Sequence, residues 1–523
     1  MDLERMKTGQ SIAIAGTGNF SVNLEALCRE HDLNVAFFVD EFRTDAFLGK
    51  PVYQAKHITG SLIDSISCVL IAISHPEYQV AAAERLQKQG FSDNRIFTLA
   101  DDPALQILQL LLERDADALR AAIGSEDFNS LEQIEAHFLG HDWRKTMSSL
   151  DPSKQNVALG YYGRGGGFRR HISPLIPHLS KRFNVVSMSD EVMKRAEESK
   201  HHLYMSASTA SEQSFIDLSI SAHIFNCAPK HVPRVSFSHV IYDFNLMGDY
   251  HAARIGEPDT HYLFASSRPC FDWYKDLISR HQLKNKLCII PGGYLQLDNN
   301  IARVNEYQGE RDSILYAPTL ALADYPNKEL ASSIEYAPEL VRTLLESFPH
   351  KKVIVRPHPS DLRMYKLQRK DQLSEVFTEL LDICSSHPRC VLDDNPTSYI
   401  NSYQRSCLMV SDTSSTAFTY AFSTGRPVVF FSPKESDLLC NIGKDLKFID
   451  DRSNIGAIAK TCKQVSLLAS ELLSKNGEET NQATSFRDKV IFNPGESANY
   501  FLNNIEFIIK AKKHPDWLYI NWE

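Results

Sequence analysis

Val355-Arg356-Pro357-His358-Pro359 and Val410-Ser411-Asp412-Thr413-Ser414-Ser415-Thr416 decide how this chain is read. Each segment begins where a short apolar run stops. Lys352-Val353-Ile354-Val355 reads as a buried strand, and so does Cys407-Leu408-Met409-Val410. A helix-like stretch, Ala417 to Ser423, follows the second run at once. Ligands of open parallel sheets sit outside the carboxyl ends of the strands. A hydroxyl-rich turn that opens a helix presents N–H groups and the positive end of the helix dipole to an anion. Together the two segments read as a crevice for a nucleotide phosphate, with no P-loop and no obvious metal site.

The α/β unit that holds them starts near Ser313 with Ile314-Leu315-Tyr316-Ala317-Pro318-Thr319 and continues through Pro427 to Phe431. Another α/β unit precedes it from about Asn156. There a strand, Val157 to Tyr162, runs into Gly163-Arg164-Gly165-Gly166-Gly167-Phe168 and then a helix carrying His171, Leu175, Ile176 and Leu179. Gly165 and Gly166 would let a phosphate approach the backbone; the same glycines could serve only a tight strand–helix turn. Further strands are expected at Ile216 to Ile220, Val235 to Phe237 and Tyr262 to Ala265, and an amphipathic helix at 497–511.

The front of the chain is a third such unit. Ser11 to Ala15 is a strand, Gly16-Thr17-Gly18-Asn19-Phe20-Ser21 a glycine turn, and Val22 to Glu30 a helix. Leu33 to Val39 ends in Asp40, which stands where a dinucleotide-binding unit carries its ribose-binding acid. Gly16, Gly18 and Asp40 are therefore candidate ligands of this domain, although a strand-end acid is as readily structural. Residues 101–150, with Leu105, Leu108, Leu112 and Leu119 at helical spacing, read as a helical connector.

Composition sets the outer bounds. A chain of 523 residues with 43% hydrophobic and 23% charged residues has material for several globular domains. The net charge of −9 argues against a general nucleic-acid binder, whose domains usually carry a basic face. Ten cysteines lie singly, Cys384 and Cys390 being the nearest pair, with no C-x-x-C, which reads as thiols in a reducing compartment. Met1 to Gln10 lacks an apolar signal core, and no uncharged apolar stretch reaches the ~18 residues of a spanning helix. A cytoplasmic protein is expected, with a place at the inner membrane face and a homo-oligomer both left open.

Two resemblances sharpen this. Residues 11–100 resemble the small Rossmann-like domain at the front of sugar-nucleotide N-acetyltransferases, through the glycine loop, Phe38-Val39-Asp40-Glu41 and Gly49-Lys50-Pro51-Val52. The hexapeptide repeats that carry acetyl transfer in that family are absent, so acetyl transfer is not implied. Residues from about 155 to 510 resemble GT-B glycosyltransferases, and by motif the CDP-glycerol glycerophosphotransferases of teichoic-acid and capsule synthesis. The matching segments are Leu315 to Thr319, Arg356-Pro357-His358-Pro359, Ser411 to Ser415 and Gly425 to Phe431, with Pro291-Gly292-Gly293-Tyr294 and Asp298 at the family's Gly-x-Pro-x-Asp turn. A His-Pro followed by a Ser-Ser pair is similar in outline to bacterial sialyltransferases and Kdo transferases, which also release CMP.

The fold class implied is α/β, an N-terminal Rossmann-like domain followed by a two-domain GT-B fold. Its expected boundaries are 1–100, a connector at 101–150, an acceptor-side domain at 151–305, a nucleotide domain at 306–490 and a helix and tail at 491–523 packing back across the cleft. The reaction implied moves glycerophosphate, or a related group, from a CDP- or CMP-linked donor to a glycan hydroxyl. CMP-sugar or UDP-sugar transfer and a non-catalytic sugar-nucleotide sensor are the rivals, with the two-domain UDP-sugar 2-epimerases a further one. No cofactor and no metal are expected beyond the nucleotide-activated donor, although Asp393-Asp394 is a weak metal candidate. His358, Arg356, Ser414 and Ser415, with Thr413, Asp412 and Thr319, are expected around the leaving phosphate, where preorganised donors matter most. His239 lies where the family carries its Trp-His-Gly histidine, flanked here by Ser238 and Val240. Its ordinary pKa near 6.5 suits removal of the acceptor proton; Asp243 and His171 are the alternative bases. His358 could also be a turn histidine, and Ser414-Ser415 a plain helix cap.

Overall fold

The computed structural model describes residues 11–30, 33–43, 45–73, 76–98, 145–162, 169–189, 199–205, 207–224, 228–238, 241, 251–321, 328–366, 372–395, 398–441, 447–475 and 478–522. By internal packing the chain divides into two units, Met1–Ser221 with Phe225–Val232, and Ala222–Ile224 with Pro233–Glu523.

The first unit opens with strands β1 (Ser11–Ala15), β2 (Val35–Val39), β3 (Val52–Tyr53), β4 (Ile66–Ile71) and β5 (Ile96–Thr98). They form a wholly parallel sheet in the order β3-β2-β1-β4-β5. This is the order of a Rossmann unit, which reverses direction between β1 and β4. Helices Asn19–Glu30 and Pro76–Lys88 cover it, the first starting before the expected Val22. Gly16 follows β1 with φ +105°, and a Cβ there would meet the Ala72 carbonyl at 2.9 Å, so only glycine fits the turn.

The strands that follow pair in parallel within each unit and make up the second sheet. Strands β6 (Asn156–Gly160), β7 (Asn184–Ser189), β8 (His201–Tyr204) and β9 (Leu218–Ser221) belong to the first unit. Strands β10 (Arg234–Phe237), β11 (Thr260–Ala265) and β12 (Lys286–Pro291) belong to the second. The third sheet comprises β13 (Ser313–Ala317), β14 (Lys352–Val355), β15 (Cys390–Leu392), β16 (Ser406–Ser411), β17 (Val428–Phe431) and β18 (Gly456–Ala459). It is parallel throughout, in the order β15-β14-β13-β16-β17-β18. Its inner strands β13, β14, β16 and β17 are buried on both faces, as apolar runs such as Val353-Ile354-Val355 and Leu408-Met409-Val410 require. The α/β class and the succession of a Rossmann-like unit and two further doubly wound sheets match the expected architecture.

The end of the chain returns to the second sheet. Helix Ser497–Ile509 is followed by β19 (Leu518–Ile520), which pairs antiparallel with β12. Trp517 is buried with its Nε1 donating to Tyr500 Oη at 2.9 Å, and Trp522 Nε1 donates to the Leu287 carbonyl at 2.8 Å. The aromatic tail thus packs on protein. The glycine turn after β12 makes room for this return. A Cβ on Gly292 would fall 2.1 Å from the Phe264 ring. On Gly293, at φ +104°, it would fall 2.3 Å from both the Phe492 carbonyl and Ser497 Oγ. Asp298 then holds the helix start, accepting from Ser497 Oγ at 3.0 Å and Ala498 N at 2.9 Å. Burial lifts its carboxyl to about 6 in spite of these bonds. Helix Leu295–Glu306 turns Leu297 and Val304 into the core formed by Phe418, Phe422 and Phe430.

Candidate functional site

The carboxyl ends of β13, β14 and β16 meet where the third sheet changes winding direction. From β13 the chain moves outward to β14 and β15, and from β16 it moves the other way to β17 and β18. Such a switch point leaves a crevice between the diverging loops.

Asp412 ties those loops together. β16 ends at Ser411, whose hydroxyl donates to the Ala317 carbonyl at 2.6 Å. The next carboxylate is buried and accepts four hydrogen bonds. Oδ1 takes the N–H of Thr319 at 2.8 Å and of Ser414 at 3.3 Å. Oδ2 takes the N–H of Ser333 at 2.8 Å and its hydroxyl at 2.9 Å. Burial pushes the Asp412 carboxyl up to about 6, against the pull of these donors. Thr413 is buried too, its hydroxyl donating to the Ala331 carbonyl at 3.0 Å. Both residues, expected at the nucleotide, brace the loops at the ends of β13 and β16. Thr319, half-buried, gives its N–H to the same brace. Asp361, fully buried, makes a parallel tie by accepting the Ala321 N–H at 2.9 Å.

Arg356 also turns inward. The residue is 8% exposed, and its guanidinium pairs with Asp393 at 2.8 Å. It donates to the carbonyls of Asn395 at 2.9 Å and Ser398 at 3.3 Å, and lies over the Tyr399 ring. Expected at the phosphate, it is held here by the loop after β15. Asp393, the weak metal candidate, is its partner and also accepts a short bond from Ser402 Oγ. Among the described residues no three His, Cys, Asp or Glu side chains gather as metal ligands.

Half-exposed groups at this edge include His358, Ser414, Ser415 and Thr416. His358 caps helix Pro359–Lys366, its carbonyl accepting from Asp361 N at 2.9 Å and Leu362 N at 3.2 Å. Pro359 suits the first helical position because its fixed φ is already helical. Ser415 is the N-cap of helix Thr416–Thr424 and makes no side-chain capping bond; Ser414 Oγ accepts from Thr416 N at a long 3.4 Å. The hydroxyls are therefore not consumed by an ordinary cap. The helix is buried from Ala417 to Ser423, so its axis is fixed with its amino end at the crevice. β14 and β16 flank β13, so the strand ends that lead to His358 and to the serine turn stand roughly 10 Å apart. An imidazole and two alcohols at the positive end of a helix can receive an anion as its charge develops.

The remaining candidates divide. His239, Asp243, Gly165 and Gly166 lie outside the described residues. His171 is buried. In the N-terminal sheet Gly18 is exposed, with nothing within 4 Å of an added Cβ. Asp40 accepts from Thr17 Oγ1 at 2.8 Å and from the N–H groups of Phe42 at 2.9 Å and Arg43 at 3.1 Å. That is the strand-end structural use of the acid. A cavity of about 460 Å³ lined by Arg268, Trp273, Lys447, Phe486 and Lys489 lies away from His358 and Ser414.

No family model and no curated protein matches the chain. Several solved structures are similar in arrangement. The wall teichoic acid polymerase TagF aligns at 15% identity and a TM-score of 0.47, over 73% of this chain and 97% of that one. UDP-GlcNAc 2-epimerase from Methanocaldococcus jannaschii aligns at 13% identity and 0.44, over 68% and 100%. The UDP-GlcNAc-bound 2-epimerase of Neisseria meningitidis aligns at 12% identity and 0.43, over 68% and 100%.

Proposed function

We propose that the chain is a metal-independent transferase of bacterial surface-glycan synthesis, moving glycerophosphate or a related group from a CDP-linked donor to a glycan hydroxyl. One observation supports this above the rest: His358 and the Ser414-Ser415 turn share the carboxyl edge of one parallel sheet at its switch point. The motif resemblance supplies the substrate class. In this reading the leaving CMP phosphate rests at the amino end of helix Thr416–Thr424. Ser414 and Ser415 donate to its oxygens, and the His358 ring faces the charge that grows as the donor bond breaks. Asp412 and Arg356 act at one remove, by fixing the two loops. His239 takes the proton of the attacking hydroxyl, with Asp243 as the alternative.

The test is nucleotide release from a panel of CDP-glycerol, CDP-ribitol, CMP-sugars and UDP-sugars, with and without glycan acceptors. Release of CMP from a CDP-alcohol, unchanged in excess EDTA, is the expected result. Release from a CMP- or UDP-sugar alone moves the assignment to sugar transfer. No release from any donor, with tight binding of one of them, overturns the transferase in favour of a sensor.

A further inference from the structure

Cys384 and Cys390 read in the sequence as two of ten scattered thiols. The fold brings them together. Cys384 lies in the last turns of helix Gln372–Ser386, and Cys390 opens β15. The turn between them is firmly held. Arg389 donates to the carbonyls of Leu345 at 2.7 Å, Lys351 at 2.8 Å and Phe348 at 2.9 Å, and Cys390 N donates to His387 O at 3.0 Å. The two sulfurs are 3.5 Å apart, the Cys390 thiol donating to Cys384 Sγ. A disulfide needs about 2.05 Å between sulfurs. Closure thus asks for a relative movement of roughly 1.5 Å, within the reach of side-chain rotation.

The two thiols are not equivalent. Cys384 is half-exposed and Cys390 is buried. The hydrogen bond between them lowers the pKa of Cys384 and raises that of Cys390. Burial raises the thiols of Cys28, Cys68, Cys288 and Cys462 instead. A thiolate that is reachable, with a second thiol in contact, is the arrangement of a sensor cysteine and its resolving partner.

We propose that Cys384 and Cys390 form a reversible oxidation site, with Cys384 reacting with a hydroperoxide and Cys390 resolving the product. The Cys384 sulfur attacks the peroxide oxygen. A sulfur–oxygen bond forms, the O–O bond breaks, and the leaving oxygen departs protonated as an alcohol, or as water from hydrogen peroxide. Cys390 sulfur then attacks the sulfenic sulfur. The disulfide forms, the sulfur–oxygen bond breaks, and hydroxide leaves as water with the Cys390 proton. The dithiol loses two hydrogens and the peroxide is reduced; an external dithiol reverses the change by exchange. The strand that would be pulled, β15, runs directly into Asp393, the partner of Arg356.

Peptide mapping of the native full-length protein decides it. After brief treatment with a small excess of hydrogen peroxide, remaining thiols are alkylated and the protein is cleaved with trypsin. Cleavage after Arg389 separates the two cysteines into peptides 371–389 and 390–405. The expected product is these two peptides joined, lighter by two hydrogens and released by dithiothreitol. Cys384 should lose its capacity for alkylation at least ~10-fold faster than the exposed Cys440. In Cys390→Ser, dimedone should label Cys384. Both thiols remaining alkylatable while Cys440 is oxidised would overturn the proposal, as would joining of either one to a different cysteine.

Discussion

At the scale of single residues, the proposed function divides the crevice into groups that would meet a ligand and groups that hold those in place. His358→Ala and Ser414→Ala should each lower nucleotide release by ~10²-fold or more, as the loss of a transition-state anion donor does, with the thermal midpoint little changed. Asp412 should behave differently. Its carboxyl is raised from an ordinary 3.8 to about 6, so the folded protein binds this proton more tightly than the unfolded chain. Its contribution to stability is complete below about pH 4 and is lost as pH rises through about 6, amounting to about 3 kcal/mol. Asp412→Asn removes that titration. Urea denaturation from pH 4 to 7 should show wild type losing stability relative to the variant over that window, and parallel curves would refute the assignment. Asp298 shifts in the same sense but is present in both proteins, so its effect cancels from the comparison.

At the scale of elements, the turn after β12 is the tightest joint described. Gly293→Ala must hold a strained φ and displace the Phe492 carbonyl, at a cost of about 2–4 kcal/mol. Gly18→Ala, with open space at its Cβ, should leave the unfolding free energy in urea within about 0.5 kcal/mol of wild type. Elements differ in how far the sequence revealed them. β14, β16 and β17 were legible because a strand buried on both faces must be apolar at every position, and such runs are hard to mistake. β3, β15 and β19 are two or three residues long and sit at sheet edges, where pairing with one neighbour decides the strand and no pattern has room to form. The site was legible to the same degree. The hydroxyl turn and His358 announced themselves as polar residues at the end of apolar strands. The inward turn of Arg356 and Asp412 did not, since their partners Asp393, Ser333 and Thr319 are set by tertiary packing across 37 to 93 positions.

At the scale of the whole molecule, the last residues complete a sheet begun far upstream. Ending the chain at Ala511 would remove β19, Trp517 and Trp522 and leave β12 as an open edge. Loss of the buried tryptophan should lower the thermal midpoint by roughly 5–10 °C. Light scattering should show concentration-dependent association of the shortened protein, because an unpaired strand edge recruits other chains. The same pairing has a consequence for biosynthesis. Leu518 follows Pro291 by 227 positions, so at ~5–20 residues per second the ribosome needs about 10–45 s to deliver one strand to the other. Throughout that interval the nascent polypeptide carries a sticky, half-made β-surface that stays open until Leu518–Ile520 is made.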